Sequence, residues 1–205
     1  MRTGPPPGFP GLFLTLSFLL FLTMSFPGCG LFEPREPEEP SQSSLNFRPP
    51  TEPSIVISNL QSAIEQKNVA NYAACFSDVS RGAQPFAFIP SADAAAAFGG
   101  TLADWTLQEE QAYFQNMVSR SAHQAFATVT LSLTSTTVTS DSVVSAYEYV
   151  LVFEHNDAGF PTRARGSLQF TLHEDASNFW AIQRWVDFKT TTEISWSHFK
   201  GKFSN

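Results

Sequence analysis

The sequence predicts an α+β domain, with helices in its first half and antiparallel strands in its second. Before Arg120, apolar residues recur at three- and four-residue spacings, which is typical of amphipathic helices. After Arg120 they recur at every second position, which is typical of strands with one buried face. The 205 residues suit a single domain of this kind, preceded by a leader and a linker.

The first 28 residues are predicted to be a signal peptide. Arg2 precedes an uncharged apolar run at residues 11–26, shorter than the roughly 20 residues that a membrane-spanning helix needs. An uncleaved membrane anchor is the alternative interpretation of this run. At its end, Phe26-Pro27-Gly28-Cys29 resembles a bacterial lipobox, in which a small residue precedes the cysteine. The resemblance implies that Cys29 becomes the first residue after cleavage and carries a lipid on its sulfur, whereas an ordinary signal would leave Cys29 free.

A linker at residues 29–53 follows, rich in proline and glutamate. All but three of the 14 prolines lie in the first 53 residues, and proline neither continues a helix nor donates to a sheet. The linker is predicted to be a disordered tether between a membrane and the domain at residues 54–205. We therefore expect a protein of the bacterial cell envelope, exported from the cytoplasm and attached to the membrane through the lipid on Cys29.

Three helices are predicted before Arg120. The first opens near Pro53 behind a hydroxyl-bearing cap, and its apolar stripe is Val56, Ile57, Leu60, Ala63 and Ile64. Asn68 can cap a second, short helix. Thr106 and Glu109 have the spacing of a capping box that starts the third.

Two segments lie between the second and third of these helices. The apolar residues 85–90 have proline at both ends and are predicted to form a short strand. The alanine-rich residues 92–100 permit a helix, but Gly99-Gly100 favours a flexible loop or lid.

Four long strands are predicted after Arg120, at residues 125–133, 145–155, 163–173 and 178–188. The second of these is apolar on both faces near its middle. That pattern predicts either a central strand or a strand covered by a second subunit, so a homodimer through the sheet face is one expected assembly.

Two stretches of the sequence resemble the nuclear transport factor 2-like superfamily, which includes ketosteroid isomerase and SnoaL-type polyketide cyclases. AIEQKNVANYAACFSD at residues 63–78 is similar to the family's first helices, and FWAIQRWVDF at residues 179–188 is similar to its closing strand. The resemblance covers residues 54–190. It implies N-terminal helices packed on a strongly curved antiparallel sheet, forming a cone whose mouth admits a ligand. Trp196 and Phe199, beyond the match, would cover the sheet edge or the cone mouth.

The resemblance also implies candidate site residues. Enzymes of this superfamily use a carboxylate base and an opposed hydrogen-bond donor inside the cone, which makes Tyr72, Asp78 and Asp187 the candidates for catalysis. Strict alternation along the last strand puts Gln183, Trp185 and Asp187 on one face. If the opposite face lines the cone, Arg184 enters it and needs an acid such as Asp78. The expected ligand pocket is formed by Tyr72, Phe76, Trp180, Gln183 and Trp185.

Composition excludes several classes of function. A formal net charge of −7 argues against nucleic acid as a partner. Two cysteines form no disulfide framework, and Cys75 is predicted to be a small buried apolar side chain. No two of the four histidines have the spacing of a metal site, so we expect no metal and no cofactor.

These observations favour a non-catalytic, lipid-anchored binding domain for a small apolar ligand or a protein partner. The alternative is an isomerase, cyclase or hydrolase of the SnoaL or ketosteroid isomerase type that uses a carboxylate in the cone.

Overall fold

The computed structural model describes Gly4, residues 47–122 and residues 124–204. The predicted signal peptide, Cys29 and most of the predicted tether lie outside these residues. Residues 47–204 belong to one compact unit, whose bounds are residues 40 and 205. Among the helices described, none combines the length and the apolar character that crossing a bilayer requires.

Five α-helices lie within the described residues: α1 (Pro53–Glu65), α2 (Val69–Ala74), α3 (Ala92–Leu102), α4 (Leu107–Ser119) and α5 (Trp196–Phe203). The predicted apolar stripe of α1 is buried. The side chain of Asn68 accepts a hydrogen bond from the Asn71 amide at the start of α2, and the predicted capping box starts α4. The cap of α1 was predicted wrongly: the N-cap is Glu52, whose side chain makes no capping bond, and Pro53 supplies the first turn.

The strands form one five-stranded sheet, in the spatial order β1-β5-β4-β3-β2. The strands are β1 (Ala87–Ile89), β2 (Ala127–Val138), β3 (Ser142–Phe153), β4 (Arg163–Glu174) and β5 (Trp180–Phe188). β1 pairs in parallel with β5, and the other pairs are antiparallel. This α+β arrangement confirms the predicted fold class, and β3 is an interior strand between β2 and β4.

The predicted loop at residues 92–100 is instead helix α3. Alanine has the highest helix propensity, and this run outweighs the two glycines that follow it. The helix is irregular at Phe98, whose backbone is non-helical. The Phe98 ring lies against α5, 6.1 Å from the ring of His198, so tertiary packing holds a segment that local sequence signals left ambiguous.

Two irregularities in strand pairing shape the sheet. The β2–β3 register shifts between Leu133 and Ser135, and β2 continues beyond the predicted end at residue 133 to Val138. The β4–β5 register shifts at Thr171/Leu172, where Arg184 pairs with Thr171 and Ile182 with Leu172. The extra residue, Gln183, breaks the alternation of side chains along β5.

Candidate functional site

The interior of the fold, between the helices and the sheet, is filled by the C-terminal helix α5. Trp196, Phe199 and Phe203 are all at most 1% exposed. The Trp196 ring lies 4.7 Å from the ring of Trp185 at nearly a right angle, and its indole N–H donates to the Tyr113 hydroxyl at 3.0 Å. Residues predicted to cover an edge or a mouth therefore form part of the core.

Two opposite charges meet inside this core. Lys200 on α5 donates to the Glu110 carboxylate on α4, and neither side chain has any exposed surface. Glu110 accepts two further hydrogen bonds, from the Tyr72 hydroxyl at 2.6 Å and from the Trp105 indole N–H at 2.7 Å. A buried carboxylate needs such partners because desolvation of its charge is otherwise very costly.

Aromatic rings surround the Lys200 ammonium on its other sides. Nζ lies 3.7 Å from the ring centroid of Trp185 and 4.2 Å from that of Phe88, with the rings of Tyr113 and Trp105 at 5.4 and 5.7 Å. Burial lowers the pKa of Lys200 to about 8, and the attraction of Glu110 opposes this effect. Burial also raises the pKa of Tyr72 well above its ordinary value, and the charge of Glu110 raises it further. Tyr72 is therefore a neutral donor.

Asp187 connects the sheet to the start of α5. Its carboxylate accepts from the Tyr149 hydroxyl at 2.8 Å and from the Ser197 amide at 2.8 Å, and the Ser197 hydroxyl also donates to it. The Tyr149 hydroxyl in turn accepts from the Trp196 amide at 2.7 Å. Burial raises the pKa of Asp187, whereas the Ser197 hydrogen bonds oppose the shift. A carboxylate at this position also complements the positive end of the α5 dipole.

The chemistry available to the interior follows from these contacts. A general base needs a free lone pair that faces a bound substrate. The Glu110 and Asp187 carboxylates instead each accept three hydrogen bonds from the protein itself. The groups therefore hold helices α2, α4 and α5 and the sheet together, and most of the acceptor capacity of both carboxylates is used within the protein.

The structure separates the residues that were proposed for catalysis. Tyr72 and Asp187 lie in the interior, but Tyr72 bonds to Glu110 and Asp187 to Tyr149. Asp78 lies at the surface, where its carboxylate accepts from the Ser80 amide at 2.8 Å; that bond lowers its pKa. Arg184 is exposed on the outer face of the sheet and does not meet Asp78.

The residues proposed for the ligand pocket are also divided. Phe76 and Trp185 are fully buried and pack on each other with centroids 6.2 Å apart. Gln183, in the β5 irregularity, donates from its amide to the Pro85 carbonyl at 3.2 Å. Trp180 is partly exposed. As predicted, Cys75 is buried, and desolvation raises the pKa of its thiol.

The sequence analysis missed Glu110 and Lys200, although a signal for both exists. Glu110 precedes Tyr113, Phe114 and Met117 at the spacing of one helix face, and all four are buried. Lys200 occupies the same kind of position in the stripe Trp196, Phe199, Lys200 and Phe203. One acid and one base on two separate apolar stripes indicate a buried pair.

An open apolar groove lies outside this filled interior. We call it the hairpin groove: it has a volume of about 570 Å³ and runs between the β2–β3 hairpin, the start of α1 and the β4–β5 turn. Its apolar surface comes from Leu133, Val138, Val143, Tyr147 and Trp180. Two of these side chains, Leu133 and Val138, are 59% and 71% exposed.

Comparison with solved structures finds chains of a similar fold. The chain is similar to a protein of Novosphingobium aromaticivorans named as a candidate aromatic ring hydroxylase, with a TM-score of 0.51 and 11% identity over 67% of this chain and 86% of that one. It is also similar to a ketosteroid isomerase-like protein of Erwinia carotovora, with a TM-score of 0.47 and 10% identity over 67% and 93% of the two chains.

A candidate dehydratase of Streptomyces avermitilis, named as a member of the NTF2-like family, gives a TM-score of 0.46 and 8% identity over 68% and 94% of the two chains. No family model and no curated protein sequence matches the chain. At these identities the likeness establishes the fold and nothing about activity. Among the described residues, no group of three or more His, Cys, Asp or Glu side chains is placed to hold a metal ion.

Proposed function

We propose that this protein is a non-catalytic, lipid-anchored binding domain of a bacterial cell envelope that takes a small apolar ligand in the hairpin groove. The observation that carries the proposal is the filled interior: α5 and Lys200 occupy the space in which an enzyme of this fold would need its substrate. The groove has the volume of an ordinary small-molecule site and an apolar lining.

The enzyme alternative has less support. Some proteins of this fold carry names of enzymes, including a candidate hydroxylase and a candidate dehydratase. For this chain, catalysis in the cone requires a carboxylate with a free lone pair facing a cavity. Glu110 and Asp187 each have three protein donors, which favours a binding role.

Ligand binding can be followed through tryptophan fluorescence. Trp105, Trp185 and Trp196 are at most 3% exposed, so Trp180 in the groove is the tryptophan whose emission responds to a ligand. We expect decyl maltoside, kept below its micelle concentration, to shift the emission to shorter wavelength in the wild type.

Three variants locate the site. Leu133→Asp in the groove should abolish the shift, whereas Phe126→Asp, at an exposed apolar side chain of another groove, should preserve it. Tyr72→Phe in the interior should also preserve it. Loss of binding in Tyr72→Phe with retention in Leu133→Asp would contradict the proposal and favour a site in the cone.

Membrane attachment is tested separately through Cys29. We expect the wild type expressed in a bacterium to fractionate with membranes, and Cys29→Ser to be released from them. Cys75→Ser is the matched control, because Cys75 is buried in the domain. A wild type found entirely in the soluble fraction would refute the anchor.

A further inference from the structure

The hairpin groove combines an apolar floor with an acidic rim. Glu52, Asp141 and Glu174 line it, and all three are exposed. Neither lysine, arginine nor histidine is among its lining residues. Three other surface grooves differ in this respect, since each carries a cation beside its acids, namely Lys67, Lys189 or Arg81; a smaller fourth groove contains the single acid Asp78 and no cation.

The three rim carboxylates have no ion-pair partner within the described part of the chain. Glu52 accepts only from the Ser54 hydroxyl, at 3.4 Å, and Asp141 only from the Thr139 hydroxyl, at 3.1 Å. The positive end of the α1 dipole also lies at the groove, but it amounts to about half a charge, and Pro53 offers no N–H there. The local field is therefore negative.

We propose that the ligand of the hairpin groove is a cationic amphiphile, that is, an apolar chain or ring system that carries an ammonium group. This inference rests on the proposed binding function and specifies the ligand class. The apolar body contacts Leu133, Val138 and Val143, and the ammonium group lies at the acidic rim. Tyr147 and Trp180 supply ring faces that attract a cation.

Charge also argues against an occupant from the chain itself. Residues 30–46, which precede the first described residue of the domain, contain Glu33, Glu36, Glu38 and Glu39 against the single Arg35. This segment would be repelled by the rim. A second copy of the chain brings the same net charge of −7, so a cationic ligand from outside is the occupant that complements the groove.

The test compares three ligands that share one chain and differ in the head group: decyltrimethylammonium, decyl maltoside and decyl sulfate, all below their micelle concentrations. We expect the affinities, measured through Trp180 emission and by calorimetry, to fall in that order. The cationic ligand should bind about tenfold more tightly than the neutral one at low ionic strength, and salt should reduce this difference.

A matched pair of variants separates local charge from net charge. Glu174→Gln in the rim should weaken the binding of decyltrimethylammonium severalfold and leave the affinity for decyl maltoside unchanged. Glu148→Gln makes the same change of charge on the exposed outer face of β3 and should alter neither. Equal affinity for all three ligands, or equal effects of the two variants, would overturn the inference while the groove remains a binding site. Absence of binding by all three ligands would instead refute the proposed function itself.

Discussion

Replacing Lys200 by methionine should strongly destabilise the domain. Methionine matches the aliphatic part of lysine but leaves the Glu110 carboxylate buried without its cation. Removing one partner of a buried pair costs about 3–5 kcal/mol. The variant also loses the contacts of the ammonium group with the rings of Trp185 and Phe88, whose centroids lie 3.7 and 4.2 Å from Nζ. Because Tyr72 and Trp105 still donate to Glu110, we expect a loss of about 3–4 kcal/mol, a large fraction of a typical domain stability.

A second substitution tests the stated cause. Glu110→Gln removes the charge and keeps an amide oxygen that can accept from Tyr72. The double variant Lys200→Met/Glu110→Gln should therefore be about 2 kcal/mol more stable than Lys200→Met alone. The measurement is equilibrium unfolding in urea at neutral pH, followed by far-ultraviolet circular dichroism. A loss below about 1 kcal/mol in Lys200→Met, or no recovery in the double variant, would refute the reasoning.

The pKa of Lys200 adds a pH dependence with a definite sign. In the unfolded chain this lysine titrates near 10.5, whereas in the folded domain it titrates near 8. Between these values the unfolded state binds more protons, so folding stability rises with pH across this window. The stability of the wild type relative to Lys200→Met should therefore rise between pH 8 and 10.5, because the neutral amine of Lys200 still donates to Glu110 and methionine does not. A difference that stays constant would show that the pKa of Lys200 is not shifted, and a difference that falls would show that it is raised; either would contradict the prediction.

The remaining predictions concern packing and assembly. A Cβ at position 201 would lie 2.4 Å from the Phe98 ring, so Gly201→Ala should lower the stability by about 1–3 kcal/mol. The control is Gly99→Ala, where no atom lies within 4 Å of the added Cβ, and it should leave the stability unchanged or raise it by up to about 1 kcal/mol. Thermal melting measures the stability of both variants, and equal losses would contradict the packing argument. The predicted homodimer through the sheet face should give a concentration-dependent mass in sedimentation equilibrium that Val150→Arg abolishes. A wild type that stays monomeric at high concentration would exclude it.

Most of the fold could be predicted because its signals are local. The stripe of α1, the Asn68 cap, the Thr106–Glu109 capping box and the period-two strands each depend on residues close together in sequence. The α3 segment could not be predicted with the same rules, because its glycines signal a break and because the contact between Phe98 and α5, which adds to the helix propensity of the alanines, is distant in sequence. The irregularity at Gln183 could not be predicted either, since it arises from the register with β4.

The candidate site was harder to predict because its partners are far apart in sequence. Lys200 and Glu110 are separated by 90 positions, and each alone is a residue type that is common on the exposed face of a helix. What distinguishes them is their place within an apolar stripe, where an unpaired charge would be too costly to bury. A buried acid and a buried base in one small domain can offset each other's charge by pairing, which requires α5 to pack beside α4. The same two residues that sequence rules treat as exceptions therefore predict where the C-terminal helix packs.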